Sequence, residues 1–351
     1  MKDRIVQEDI ERIWDRLSLN ELAGKELLLT GGTGMIGSYL LYTLKKWNEG
    51  CGGGTLVHLV VHNDIPGFLS FVEDADWVHV IKGDLSDDSF CRALPKADYI
   101  IHAAGYGQPG RFLEDKLKTI RMNTMATDIL LSKLLRNGKF LFVSTSELYS
   151  GSDKLPYHEN EHGCTTPQHA RGCYIEGKRC GEAICTAYRG MGSDVKIARV
   201  SLAYGPCIRR GDRRVLNEFI EKAAQGTIQL LDDGVARRTY CYVSDTVDLL
   251  WNILLKGTGP VYNVGGGSET SIFDLAEMIA RRMGADVVRP KSVSDSQGAP
   301  KAVGVNIDKA KAEFGKREFV SLDEGLDRTI RWFKQEYQNQ AGPHAPFTQR
   351  E

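Results

Sequence analysis

The chain alternates between two kinds of apolar pattern. In six short runs nearly every position is hydrophobic: "KELLLT" from Lys25, "TLVHLVV" from Thr55, "WVHVIK" from Trp77, "ADYIIHAA" from Ala97, "GKFLFVS" from Gly138 and "DVKIARV" from Asp194. Runs of that length and density mark strands buried on both faces. The segments between them are longer and mostly helical in pattern, notably Asp115–Arg136 and His169–Arg189. Ahead of the first strand, Ile10, Ile13, Trp14 and Leu17 recur at helical spacing. They predict an amphipathic helix within residues 1–23 that packs on the core. Strand and helix in this rhythm predict an α/β protein built on a parallel, doubly wound sheet.

Beyond about Gly205 the pattern loosens. Helical segments ("VLNEFIEKAAQ", "VSDTVDLLWNILL", "SIFDLAEMIARRM", "LDEGLDRTIRWFKQEY") alternate with short strands such as "GPVYNV". Residues 24–204 are thus expected to form the main sheet domain, and 205–337 mainly a smaller α/β lobe, with some later segments returning to the sheet. The polar, proline-containing end, 338–351, is expected to be disordered.

Composition narrows the classes. A chain of 351 residues with net charge −1 gives no reason to expect nucleic acid or another polyanion as a partner. The start, "MKDRIVQEDIERIWDRL", has no apolar signal core, and no run of about 18 apolar residues occurs, so neither secretion nor a membrane span is expected. Eight scattered cysteines without a CxxC pair suit reduced thiols in a cytoplasm better than disulfides or a structural zinc.

The first strand runs directly into "GGTGMIG", which places Gly31, Gly34 and Gly37 at GxxGxxG spacing before a helix. Glycines there let the chain turn tightly and let a pyrophosphate approach the free N–H groups of a helix N-terminus. A tight strand–helix turn would use glycine anyway, but the flanking strand and helix both fit a Rossmann-type NAD-binding domain. Gly31, Thr33, Gly34, Met35, Ile36 and Gly37 are the candidate cofactor contacts, joined by Asp84 and Leu85 of "KGDLSD". Asp84 could equally cap the helix that follows. The second strand ends in His62-Asn63-Asp64, with neither a clear acid at its tip nor an arginine for a 2′-phosphate; NAD is expected ahead of NADP.

"GCYIEGKRCGEA" puts Tyr174 and Lys178 four apart on one helical face. An ammonium beside a phenol favours the phenolate. Moving a tyrosine from ~10 to near 7 takes about 4 kcal/mol, within reach of a lysine and a nicotinamide cation together. A solvated helical pair would match YxxxK equally well. The run Ser144-Thr145-Ser146-Glu147-Leu148-Tyr149 changes that balance, because a buried strand ends there in hydroxyls and a carboxylate.

Taken with "GDL", "IHAAG", "MNTMAT", "VSTSELY", "YGP" and "RRTYCYVSD", in that order between about Leu27 and Lys334, these motifs carry a resemblance. The chain resembles the extended short-chain dehydrogenase/reductases that act as nucleotide-sugar epimerases, dehydratases and decarboxylases. The resemblance implies a Thr145–Tyr174–Lys178 set. Tyr174 would take the proton of a sugar hydroxyl, usually at C4, while hydride passes to NAD+. Thr145 would bond the same oxygen, and Lys178 would hold the nicotinamide ribose and the phenolate. It also implies that Ala103, Ala104 and Gly105 line the cofactor, that Asn123 braces the strand beside it, and that two copies pair through the Asp115–Arg136 and Tyr174-bearing helices.

Within that group the Thr-Ser-Glu run is informative. dTDP-glucose dehydratases have Thr-Asp-Glu, the acid helping water leave C6; Ser146 replaces it here. Thr-Ser-Glu is similar to UDP-glucuronate decarboxylases and to GDP-mannose 4,6-dehydratases, and "ARGCYIEGKRCGE" resembles the decarboxylases. By that resemblance Ser146 and Glu147 act after oxidation, and Arg171, Arg214 and Arg238 are candidate substrate contacts. Two departures are Leu202, where relatives carry a substrate-contacting Asn, and Ser150, where they carry Gly. Decarboxylation of UDP-glucuronate to a UDP-pentose or UDP-4-keto-pentose is the expected reaction, with epimerisation or 4,6-dehydration as alternatives. A non-catalytic dinucleotide sensor is an alternative of another class, disfavoured because Thr145, Tyr174 and Lys178 are all retained. "HENEH" (158–162) matches a zinc-protease pattern, but flanking Pro156 and Gly163 deny it a sustained helix, so a polar substrate loop and no metal are expected.

Overall fold

All six apolar runs form strands of one parallel sheet. The computed structural model describes residues 4–290 and 302–338; the expected disorder at the C-terminus falls almost wholly outside the described residues. The first six strands are β1 (Glu26–Thr30), β2 (Leu56–Val61), β3 (Val78–Lys82), β4 (Ala97–His102), β5 (Leu134–Thr145) and β6 (Asp194–Val200). After them come β7 (Leu202–Tyr204), β8 (Thr227–Gln229), β9 (Arg237–Tyr242), β10 (Val261–Val264), β11 (Ser268–Ser271), β12 (Asp286–Val288) and β13 (Ala302–Val303).

The main sheet has seven strands in the order β10-β6-β5-β4-β1-β2-β3, paired in parallel throughout. Strand order reverses between β1 and β4, and a crevice opens there at the strands' C-terminal ends. A smaller sheet, β11-β9-β13 with β7 on β9, and the pair β12-β8 make up the second lobe.

Two expectations need correction. "GPVYNV" becomes β10, which pairs with β6 as the edge of the main sheet rather than lying in the smaller lobe. The Val243–Lys256 helix, buried from Val243 to Leu255, is the crossover that carries the chain back. The Asp115–Arg136 segment is not one helix but two, Lys116–Asn123 and Met125–Ser132, followed by the start of β5. The break falls at Thr124, whose hydroxyl donates to the Ile120 carbonyl (2.9 Å), as Ser and Thr do where helices bend.

The N-terminal helix, Arg4–Trp14, buries Ile5, Val6, Ile10 and Ile13 as its periodicity demands, and with them Asp9. Asp9 Oδ2 accepts from the hydroxyls of Tyr39 (2.7 Å) and Tyr242 (2.8 Å), and the Arg328 guanidinium lies 2.9 Å from Oδ1. Burial pushes the Asp9 carboxyl up, and Arg328 and the two phenols oppose it. One carboxylate thus joins the first helix, the Met35–Lys45 helix, the end of β9 and the Leu322–Phe333 helix. Asp9→Ala, which leaves the buried Arg328 with only the more exposed Glu8 (3.2 Å) as counter-charge, is expected to cost about 3 kcal/mol in urea unfolding, and Asp9→Asn less. A loss below 1 kcal/mol for the alanine variant would contradict a buried ionic clamp.

Candidate active site

The crevice is lined from the C-terminal ends of β1 to β6 and from the Gly172–Gly190 helix, and encloses about 400 Å³. Its geometry is set where β1 meets β4. Thr30 and His102 are register partners, both fully buried, and the Thr30 Oγ1–His102 Nδ1 distance is 2.8 Å. His102 Nε2 lies 3.1 Å from the Met122 carbonyl, which can only accept, so Nε2 carries the proton and Nδ1 accepts from the Thr30 hydroxyl. Thr30 Oγ1 in turn accepts from the Ala104 N–H (3.2 Å). Burial, assisted by Lys178, pushes the imidazole down to about 3, so the ring is neutral. This knot holds Ala103 against Gly31, where a Cβ would lie 2.6 Å from the Ala103 backbone at φ +73°.

Gly34 has a different task. It caps the Met35–Lys45 helix without any side-chain hydrogen bond, and a Cβ on it would meet nothing nearer than the Gly31 carbonyl at 3.5 Å. The first-turn N–H groups therefore face an open, positively polarised cradle that fits a dinucleotide pyrophosphate. Thr33, Met35 and Ile36 line the same end, with Ala103, Ala104 and Gly105 on the opposite wall. Asp84 and Leu85 also line it. Burial would raise the Asp84 carboxyl, but Lys118 (2.7 Å) and Ser86 outweigh it and bring it down to about 2. Helix capping falls to Asp87 instead, which accepts from the Ser89 and Phe90 N–H groups. Asn123 stands outside the lining: it is buried, donates to the Thr119 carbonyl and sits behind Gly105, a bracing position rather than a contact with the crevice.

Thr145 ends β5, Tyr174 lies in the first turn of the Gly172–Gly190 helix and Lys178 one turn on; all three are buried and line the crevice. The Tyr174 ring stacks on Phe112 with centroids 4.8 Å apart. Burial pushes its phenol up to about 12, against the hydrogen bond from Thr145. Lys178 Nζ donates to the Val143 carbonyl (2.8 Å), and burial pushes this ammonium down to about 8. The lysine is thus turned to the strand, and the protein's own groups do not depress the phenol as the YxxxK spacing suggested. Bringing it from about 12 to neutrality amounts to roughly 7 kcal/mol. Gly105 and Lys178 line the crevice where NAD+ would be held, and its positive nicotinamide would supply a further charge of the needed sign.

Behind "STSELY" lies a network that sequence pattern does not announce. Ser144 Oγ donates to Glu182 Oε1 (2.6 Å), and Arg199 pairs with the same carboxylate (2.7 Å). Arg199 also donates to the Tyr149 hydroxyl (2.8 Å), which donates to Asn263 Oδ1 (2.7 Å). The signal available for Glu182 was its place four residues after Lys178 and eight after Tyr174, on one helical face. Arg199 pins the 158–162 loop as well, through the carbonyls of Glu159 and Glu161. That loop is not helical and does not line the crevice, which corrects its reading as a substrate loop.

Ser146 and Glu147 both line the crevice; Glu147 is paired with Arg171 (2.7 Å). Burial raises the Glu147 carboxyl, and Arg171 and His169 pull it back. Of the three candidate substrate arginines only Arg214 lines the crevice, and Asp212 binds it through two nitrogens. Arg171 and Arg238 stand behind, spent partly on the charge of Glu147. Leu202 lines the crevice. The Ser150 departure is conservative in the backbone: Ser150 has φ −55°, and the left-handed position falls on Gly151 at +86°.

Comparison with known proteins agrees with this fold. The model of the NAD dependent epimerase/dehydratase family matches residues 27–265, and the chain belongs to that family. It is an NAD-dependent enzyme of that group. UDP-glucuronic acid decarboxylase 1 of Xenopus tropicalis is 32% identical over 92% of this chain and 75% of its own length. dTDP-glucose 4,6-dehydratase of Streptomyces antibioticus is 30% identical over 91% of this chain and 98% of its own. Among solved structures, the dTDP-glucose 4,6-dehydratase of Streptomyces venezuelae with NAD bound is 26% identical, with TM-score 0.77 over 91% of this chain and 99% of that one.

If Tyr174 is the base, Tyr174→Phe should lower the rate of nicotinamide reduction by roughly 10²–10⁴-fold. Thr145→Val should lower it by about 10–100-fold. Both should leave circular dichroism unchanged. Wild-type rates in the phenylalanine variant would remove Tyr174 from that role.

Proposed function

We propose that the enzyme oxidises the C4 hydroxyl of UDP-glucuronate and decarboxylates the product. One observation carries the choice among the family's reactions: every carboxylate lining the crevice is ion-paired. Asp84 is bound to Lys118, Glu147 to Arg171 and Asp212 to Arg214. The dTDP-glucose type of 4,6-dehydration uses an acid beside the threonine to protonate the departing C6 hydroxyl, and that position holds Ser146 here. The GDP-mannose type shares the Thr-Ser-Glu run and is set against decarboxylation by the ion pairing alone. Decarboxylation needs no such acid, because carbon dioxide leaves without a proton.

Tyr174 takes the C4 hydroxyl proton, with Thr145 bonding the same oxygen. NAD+ supplies the hydride acceptor. The C5 carboxylate is then β to a ketone; its C–C bond breaks, the electron pair enters the C4–C5 enolate, and carbon dioxide departs. Ser146, directly or through a water it holds, returns a proton to C5, and Glu147 fixes the ring or that water. The decarboxylases among the relatives support the same reading. On incubation with UDP-glucuronate, carbon dioxide and a UDP-pentose or UDP-4-keto-pentose are expected. Unchanged substrate alongside interconversion of UDP-hexoses would favour epimerisation instead, and no nicotinamide reduction with any sugar nucleotide would favour a sensor.

We also infer a homodimer acting in a cytoplasm. Leu117 (69% exposed) and Ile120 lie on the Lys116–Asn123 helix beside exposed Leu113, near the Tyr174-bearing helix, and all eight cysteines are free thiols. Among the described residues no helix is long and apolar enough to cross a membrane. Light scattering should give a dimer mass that Leu117→Arg shifts toward the monomer; a wild-type monomer at micromolar concentration would refute the pairing.

A further inference from the structure

The adenosine end of the crevice carries a charge that does not match a plain ribose diol. In a doubly wound sheet the adenosine ribose faces the tip of β2, where a carboxylate accepts from its two hydroxyls. Here the residue following β2 is His62. Its Nδ1 lies 3.3 Å from the Gly83 carbonyl and its Nε2 3.4 Å from Lys118 Nζ. The two carboxylates in the neighbourhood are both committed. Asp84 is bound by Lys118 and Ser86, and the Asp64 side chain is 97% exposed and paired with Lys82.

Arg209, from the segment between β7 and the Val215–Ala223 helix, reaches across from the other lobe. Its Nε donates to the Thr33 carbonyl (3.3 Å) and its Nη2 to the Asp64 carbonyl (2.9 Å). The guanidinium therefore bridges the glycine loop and the loop after β2, the two segments that flank the adenosine ribose. Those bonds use two of its five N–H donors, and it has no ion pair among the described residues. Burial and the neighbouring Arg111 disfavour its charge and outweigh the support of Tyr337 and the exposed Asp64 carboxylate, so an anion placed there would offset a net penalty. A plain tie between lobes would need the same two carbonyl bonds. It would not account for the loss of the acid at the β2 tip in the same place.

We propose that Arg209, with His62 at the end of β2, forms a seat for a 2′-phosphate, so that this crevice binds NADP+ as well as NAD+. Where the hydride taken from the sugar is returned to it, either dinucleotide serves the reaction. The test needs no sugar substrate, so it stands or falls apart from the proposed decarboxylation. Equilibrium binding of NAD+ and NADP+ is measured on the full chain after removal of copurified dinucleotide. NADP+ is expected within about tenfold of NAD+. Arg209→Ala should weaken NADP+ by about thirtyfold and NAD+ by less than about threefold. His62→Asp should weaken NADP+ and tighten NAD+, which keeps the question answerable if the Arg209 variant fails to fold. NADP+ more than tenfold weaker than NAD+ in the unaltered protein would overturn the proposal. So would equal losses for both dinucleotides in Arg209→Ala, or an unchanged ratio in His62→Asp.

Discussion

The hydrogen-bonded knot of Thr30, His102 and Ala104 is the constraint on which the rest of the crevice depends. It sits where the strand order reverses, and every bond in it is directional: Ala104 N–H to Thr30 Oγ1, the Thr30 hydroxyl to His102 Nδ1, His102 Nε2–H to the Met122 carbonyl. A buried imidazole with both nitrogens satisfied has one tautomer and one ring orientation available. That fixes how far β4 stands from β1, which in turn leaves room only for glycine at position 31. The anion cradle at Gly34 and the wall at Gly105 are set by the same spacing. Polar groups in the core are here the means by which two segments of backbone are held at one distance.

The same economy governs the charges of the site. Tyr174 and Lys178 are buried, and burial moves their proton affinities in opposite directions, the phenol up and the ammonium down. Glu182 favours the charged lysine and, through Ser144 and Arg199, is itself fixed to the strand end that carries Thr145. The Tyr174–Lys178 face of the helix and the tip of β5 are therefore one electrostatic unit. Ion pairing of Glu147, Asp84 and Asp212 leaves hydroxyls rather than free acids at the end of β5.

How much of this the sequence discloses follows from the range of each interaction. The six strands are plain in the apolar runs, since burial on both faces leaves a local record. The glycine turn and the Tyr174–Lys178 pair have fixed local spacing and are equally plain. β10 was harder to place, because a four-residue strand reads alike in either lobe and only its parallel pairing with β6 decides. The break at Thr124 leaves no mark in the apolar pattern. Arg199 and Arg209 are invisible to pattern: one acts through partners up to 50 residues away, the other through Thr33, 176 residues back. His62 was visible only as the lack of an acid, and its neighbours Lys118 and Arg209 had to be located in space before that lack acquired a meaning.

The Asp9–Arg328 pair has a consequence for the order in which the molecule comes into being. Its partners lie far apart along the chain, so the Arg4–Trp14 helix can receive this counter-charge only once the Leu322–Phe333 helix exists. Without the Leu322–Phe333 helix, docking the Arg4–Trp14 helix would bury a carboxylate supported by two phenols and the more distant charge of Arg12, a costly arrangement in a low-dielectric core. Stable docking of the Arg4–Trp14 helix therefore presupposes a segment made much later, which couples two distant stretches of the chain through one charge pair.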